Sequence, residues 1–168
     1  MELVLIRHGI AEDREAFATA KRDDALRALT KQGRWKMERV AKGLRRAVRS
    51  IDLLASSPLV RATETAAIVS AAYGGLKVSG APAFAPDSPI DAALEWIRRH
   101  GSAPTMAVVG HEPSLSTLAT WLLTGSRESR LMLRKGGACA IEFTAPPRAG
   151  EGQLLWLLTP AQLRRLGD

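Results

Sequence analysis

Apolar residues collect in short runs along this chain, and the runs stop abruptly at polar residues or glycine. The first is Leu3-Val4-Leu5-Ile6, which leads straight into Arg7-His8-Gly9. A run of this length belongs to a buried strand or to a piece of buried helix. Its β-branched content and the stop at Gly9 favour a strand. It is apolar at every position rather than at alternate ones. That pattern suits a central strand covered on both faces, as in parallel α/β sheets. Ile51–Ala55 reads as a second strand, and Met106–Val109 as another fully apolar one that stops at Gly110-His111-Glu112-Pro113. Lys77-Val78-Ser79 suits a short edge strand. Ala138–Phe143 and Leu154–Leu158, joined by Pro146-Pro147-Arg148-Ala149-Gly150, suit a hairpin.

Between the strands the period changes. Met37, Val40, Ala41, Leu44, Ala47 and Val48 recur at three and four, which predicts one apolar helical stripe with Thr30 as its cap. Ser57 is placed to cap the next helix, with Pro58 as its first residue. Ile90–Arg99 and Ser114–Leu123 predict two more helices, and Thr159-Pro160 opens a short last one. Residues 10–28 are polar and irregular and read as a long loop, and the chain from Gly74 to Pro89 is rich in glycine and proline. The alternation predicts an α/β fold: a three-layer α/β/α sandwich with a mostly parallel central sheet, one antiparallel edge strand and no lid domain. Neither a linker nor a repeat interrupts residues 1–168, so a single domain is expected.

Composition narrows this picture. A hydrophobic content of 46% and a charged content of 24% are ordinary for a globular domain. The single cysteine, Cys139, excludes an internal disulfide and reads as a small buried residue. A cysteine-dependent phosphatase would need an arginine six residues on, where Ala145 stands. The start lacks a basic region followed by a long apolar segment, and no run is long and apolar enough to span a bilayer. The expected setting is the cytoplasm, with no membrane partner and a monomeric state. Net charge is +7, much of it on one helix at Lys31, Arg34, Lys36, Arg39, Lys42, Arg45, Arg46 and Arg49. Nucleic-acid binding would call for interleaved aromatics or a known motif. Aromatics make up only 5%, so no nucleic-acid partner is expected and a solvated face is the simpler reading, with attraction of an acidic partner or an anionic substrate as the alternative.

The candidate chemistry lies at strand ends. Arg7 and His8 fall at the carboxyl end of a central strand, the edge where open α/β sheets place their sites. Gly9 would let a ligand approach the main chain. His111 repeats the arrangement, at a strand end and just before a helix. Arg61 falls in the first turn of the helix after Ser56-Ser57-Pro58, beside free amides and the positive end of the helix dipole, which is an anion-binding position.

Leu5-Ile6-Arg7-His8-Gly9, Ser-Ser-Pro-x-x-Arg-Ala-x-x-Thr-Ala at 56–66 and the later Gly110-His111 together resemble the signatures of the histidine phosphatase superfamily, the phosphoglycerate-mutase-like fold. The resemblance implies that His8 is a nucleophile that becomes phosphorylated. It makes Arg7 and Arg61 clamps on the phosphoryl oxygens and His111 a donor to the same oxygens, expected as an imidazolium. Gly9 and Glu112, each next to one of the histidines, are counted with Arg7, Arg61 and His111 as phosphate-binding. Planar arginine forks suit a phosphoryl group, and a neutral imidazole can attack phosphorus. No metal or other cofactor is expected, and the remaining histidine, His100, is expected at the surface.

Two features bear on the substrate. Larger relatives carry a lid over the site, and the short stretch 75–110 leaves little room for one here. The glutamate that usually serves as general acid in that region has no clear counterpart, leaving Asp87 and Asp91 as candidates and Glu95 behind them. A departing imidazole protonates readily near neutral pH, whereas an alkoxide needs an acid. With Leu29-Thr30-x-x-Gly33, the chain resembles the small SixA-type phosphohistidine phosphatases. That resemblance implies a histidine-phosphorylated protein or phosphocarrier domain as partner. Three alternatives stand beside it: a small-molecule phosphomonoesterase with Asp87 or Asp91 as acid, a non-catalytic module that binds phosphoproteins, and nucleic-acid binding through the basic helix.

Overall fold

Strand β1 (Glu2–Arg7) runs through the middle of a six-stranded sheet. The computed structural model describes residues 1–168. In chain order the remaining elements are α1 (Arg14–Thr19), α2 (Lys31–Ala47), β2 (Leu53–Ser56), α3 (Val60–Ala72), β3 (Val78–Gly80), α4 (Ile90–Arg99), β4 (Thr105–Gly110), α5 (Ser114–Thr124), β5 (Ala138–Glu142), β6 (Gln153–Leu158) and α6 (Pro160–Gly167). The sheet order is β3-β2-β4-β1-β5-β6. The pairs among β3, β2, β4 and β1 are parallel. The antiparallel part is the β5–β6 hairpin, and β5 pairs antiparallel with β1 one strand in from the rim.

Successive side chains of a strand point to opposite faces, and here both faces are covered. Leu3 and Leu5 of β1, with Met106 and Val108 of β4, pack against α4 and α5 through Leu94, Ile97, Leu115 and Leu118. Val4, Ile6, Ala107 and Val109 face the other way, onto Met37, Val40, Leu44, Val69 and Leu163 of α2, α3 and α6. This double cover explains the unbroken apolar runs. Cys139 is buried in the first of these layers, and burial pushes its thiol up to about 12.

Three local expectations are revised. Residues 10–28 are not all loop: α1 is capped by Asp13, and a 3-10 turn spans Asp24–Leu26. Helix α3 begins at Val60 rather than Pro58, with no side-chain cap; the Ser57 hydroxyl lies 2.7 Å from His111 Nε2 and accepts from Leu59 N–H at 3.4 Å. His100 is half-buried and stacks on Trp96, with ring centroids 4.0 Å apart, at the end of α4.

The contact that sets the site is made by Gly33. It lies in the first turn of α2, against the Ile10 carbonyl, and a β-carbon there would collide with that backbone. Thr30, the cap of α2, accepts from Gly33 N–H at 2.9 Å, while its own N–H donates to Ile10 O at 2.9 Å. The start of α2 is thereby fastened to the chain just beyond β1.

Candidate active site

The carboxyl ends of β1, β2 and β4 open into a cleft of about 850 Å³ lined by Arg7, His8, Arg61 and His111, among others. The four residues singled out from two strand ends and one helix start therefore meet. The His8 and His111 rings lie 5.1 Å apart between centroids, and both side chains are almost fully buried. His8 Nδ1 is 2.7 Å from the carbonyl oxygen of Gly9. A carbonyl can only accept, so Nδ1 carries the proton and Nε2 keeps its lone pair. Burial pushes His8 down to about 3, opposed by the Gly9 contact and helped by the charges of His111, Arg61 and Arg7. The ring is therefore neutral at ordinary pH.

The His111 ring is also neutral, since burial and the charge of Arg61 push it down to about 4. The imidazolium expected there is the form that would face a bound phosphoryl group. His111 Nδ1 is buried without a partner, while Nε2 faces the Ser57 hydroxyl. A phosphoryl dianion in the cleft would favour the protonated form.

Arg7 Nη1 donates to Leu133 O at 2.8 Å, which steadies the side chain, and Nε is left unpaired. Arg61 donates from Nη1 to the carbonyl of Asp24 at 2.8 Å, and its Nη2 lies 3.0 Å from the Asp24 carboxylate. Burial alone would raise Asp24. The hydrogen bond from Arg27 and the charges of Arg61, Arg27 and Arg14 override it and hold the carboxyl below its ordinary range. Asp24 is thus an anion, and it sits on the second arginine. Neither Asp24 nor the buried Arg27 was singled out from sequence. The only local signal was an acid and a base three residues apart in a polar stretch.

Gly9 plays a different part from the one expected. Its N–H donates to Thr65 Oγ1 at 3.0 Å and its carbonyl accepts from His8, so it has no free amide to offer a phosphate. Thr65 in turn donates to Arg61 O at 2.7 Å, tying α3 to the end of β1. Glu112 lines the cleft, but its carboxyl accepts from Ser116 Oγ at 2.6 Å. Burial raises this carboxyl above its ordinary range, with Ser116 and Arg7 pulling the other way. A carboxylate repels a phosphoryl group, so any direct contact from Glu112 would come from its backbone.

The two candidate acids separate. Asp91 is exposed, pairs with Arg127 at 2.8 Å and is not part of the cleft wall. Asp87 is exposed at the rim of the cleft.

Fold and site together define an α/β protein that can hold a tetrahedral oxyanion between arginine forks, against a neutral imidazole with a free lone pair. The profile of the histidine phosphatase superfamily (branch 1) matches residues 3–85. An uncharacterized protein of Picosynechococcus sp. (strain PCC 7002) is 34% identical over 162 residues, which cover 95% of this chain and 96% of that protein. The structure of the protein histidine phosphatase SixA complexed with tungstate superposes with a TM-score of 0.82 at 21% identity, covering 97% of this chain and 99% of that one. The alpha-ribazole phosphatase from Shigella flexneri superposes at 0.73 with 19% identity, covering 95% of this chain and 97% of that one. The chain belongs to the histidine phosphatase superfamily, and phosphatase chemistry is the activity this membership supports.

Proposed function

We propose that the protein is a phosphohistidine phosphatase that takes the phosphoryl group from a histidine of a partner protein onto His8 and then releases it to water. The observation that carries this reading is the His8 tautomer. The Gly9 carbonyl holds the proton on Nδ1, so Nε2 presents its lone pair in a cleft that also holds Arg7, Arg61 and His111.

In the first step Nε2 of His8 attacks phosphorus. A new N–P bond forms on His8 as the N–P bond of the substrate breaks, and the departing imidazole takes up a proton. Arg7 and Arg61 neutralise the equatorial oxygens, for which Arg61 must exchange the Asp24 carboxylate for the phosphoryl group. His111 donates to the same oxygens. In the second step water attacks the phosphohistidine, releasing inorganic phosphate and restoring His8. Both steps run on residues of this chain, without a metal or other cofactor.

A protein substrate is favoured by what surrounds the cleft. Residues 75–110 supply only β3, a 3-10 turn at Pro82–Phe84, α4 and β4, with no inserted domain to enclose a small molecule. The one carboxyl at the rim that sequence reading nominated as an acid, Asp87, is exposed. The likeness to SixA accords with this choice. The likeness to the Shigella flexneri enzyme keeps a small phosphomonoester as the second reading, with Asp87 as proton donor. The proposed setting is the cytoplasm and the proposed working unit a monomer.

The test compares kcat/KM for a histidine-phosphorylated carrier protein with that for a panel of alkyl phosphomonoesters, using wild type and His8→Ala. Preference for the phosphoprotein, abolished in the variant, supports the reading. Preference for an ester, with strong loss in Asp87→Asn, supports the second. Binding of the phosphoprotein that survives His8→Ala, without turnover by wild type, would mean a non-catalytic module.

A further inference from the structure

A second cavity of about 280 Å³ lies directly behind Gly9, between α2, the start of α6 and the loop before β5. Lys36, Arg134, Lys135 and Arg164 line it, and no carboxylate does. None of these four cations takes part in any of the seven ion pairs of the chain. Some arginines elsewhere are matched, Arg34 with Glu64, Arg39 with Asp168, and Arg27 and Arg61 with Asp24, whereas these four face one another. Asp168 is near enough to feel Arg164, but its carboxylate is engaged by Arg39. Four like charges around one small cavity repel one another and concentrate a positive field there.

The cavity is fixed relative to the reacting residues. Gly136 N–H is shared between the carbonyls of Arg7 and His8, at 3.1 Å from each. Arg7 N–H donates to Gly137 O at 3.0 Å, and Arg7 Nη1 donates to Leu133 O at 2.8 Å. The turn needs Gly136, whose φ is +78° and where a β-carbon would meet Met37 Sδ at 2.9 Å. Arg134 and Lys135 are therefore held by the same hydrogen bonds that hold the end of β1. Ile10 and Lys135 line both this cavity and the catalytic cleft, so the two spaces adjoin.

We infer that this cavity is a second anion subsite for the same substrate: with one phosphoryl group at His8, another anionic group, carboxylate or phosphate, sits among Lys36, Arg134, Lys135 and Arg164. The inference rests on the reading of His8 as phosphoryl acceptor. The subsite lies off the reacting atoms, so it selects substrates through binding. Its occupant is either an acidic side chain close to the phosphohistidine of a protein or a second acidic group on a small phosphate ester.

The experiment uses Lys36→Gln/Arg164→Gln, with the two single variants as a safeguard against misfolding. Four probes separate the sources. They are p-nitrophenyl phosphate, 1,3-propanediol bisphosphate, and a histidine-phosphorylated peptide flanked either by glutamates or by alanines. For the doubly charged probe that wild type prefers, the double variant should lose about tenfold in kcat/KM, mainly through KM, as expected for removing charge contacts together worth one decade. Loss confined to the glutamate peptide identifies a protein source, and loss confined to the bisphosphate a small-molecule source. Turnover of p-nitrophenyl phosphate and of the alanine peptide should stay within about twofold, since uniform electrostatic losses are small for exposed charges. Equal losses on all four probes, or none, overturn the subsite while leaving phosphorylation of His8 intact. Absence of phosphate on His8 in wild type, read by mass spectrometry after an acid-free quench, overturns both.

Discussion

His8 Nδ1 donates its proton to the carbonyl oxygen of the very next residue, Gly9, at 2.7 Å. The proposed nucleophile is thus oriented by its own backbone, and the carboxylate that orients many catalytic histidines is not needed for this. With burial pushing the ring down to about 3, His8 should stay neutral, with its proton on Nδ1, across the working range. Nitrogen NMR of labelled protein should show that tautomer from pH 8 to pH 5, and phosphate should be found on Nε2. The rate of phosphoenzyme formation should show no loss near pH 6.5 that can be traced to His8. A titration of the His8 ring near pH 6.5 would contradict the assignment.

The pair of Asp24 and Arg61 leads to a second expectation. The carboxylate lies 3.0 Å from the guanidinium and is held ionised, so a phosphoryl group bound as proposed would have to compete with it for the same fork. Asp24→Asn keeps the backbone carbonyl that also binds Arg61 and an oxygen that can accept from Arg27, and removes the charge that Arg61 shares with Arg27 and Arg14. Inorganic phosphate should bind the variant about three- to tenfold more tightly, since one such ion pair is worth on the order of 1 kcal/mol. Titration calorimetry reads this directly. Weaker binding would mean that Asp24 aligns Arg61 rather than competing for it. Arg61→Lys should not restore what Arg61→Ala loses, because an ammonium lacks the planar fork.

The same residues show what a sequence can and cannot carry here. The positions of His8 and His111 were legible because each follows an apolar strand, and apolar runs are local signals. Arg61 was legible for the same reason, one helix start after a strand end, although the helix itself begins two residues later than its serine and proline suggest. The Ser57 hydroxyl instead meets His111, 54 residues away, a contact that no local pattern announces. Asp24 meets Arg61 across 37 residues, through a 3-10 turn too short to leave a periodic pattern. The grip of Leu133–Gly137 on Arg7 and His8 is almost wholly backbone, and backbone hydrogen bonds in a turn are silent in composition. Asp91 was nominated by its place in the chain, but it lies in the first turn of α4, outside the cleft wall, where it pairs with Arg127.

Gly33 gives a prediction with an internal control. A β-carbon at Gly33 would run into the Ile10 carbonyl, which is backbone and cannot swing aside. Gly33→Ala should destabilise the protein by about 1–3 kcal/mol, the usual range for overpacking. It should also lower kcat/KM, because Ile10 follows Gly9 and lines the cleft. Gly80 has nothing within 4 Å of the corresponding position. Gly80→Ala should therefore leave both melting temperature and kcat/KM close to wild type. Equal behaviour of the two variants would remove the packing argument.

The buried histidines make stability depend on pH. In the unfolded chain both rings take up a proton near the ordinary value of 6.5, whereas in the folded protein they resist protonation down to about 3 for His8 and about 4 for His111. Between those limits the unfolded state binds more protons. Stability fully present above pH 6.5 is then lost as pH falls toward 4, with a slope of up to about 1.4 kcal/mol per pH unit for each histidine. Asp24, held below its ordinary range, adds a loss of the same sign at lower pH. Glu112 is raised, so the folded protein gains its proton first and offsets part of the loss just above the ordinary glutamate range. Urea unfolding at intervals from pH 8 to pH 5 should show wild type weakening steadily below 6.5. His111→Asn should weaken with about half that slope, since one of the two rings is gone. Saturating phosphate should flatten the slope further, because an anion among Arg7, Arg61 and His111 favours protonated His111 in the folded state. A variant slope equal to that of wild type would show that His111 is not buried as a neutral ring.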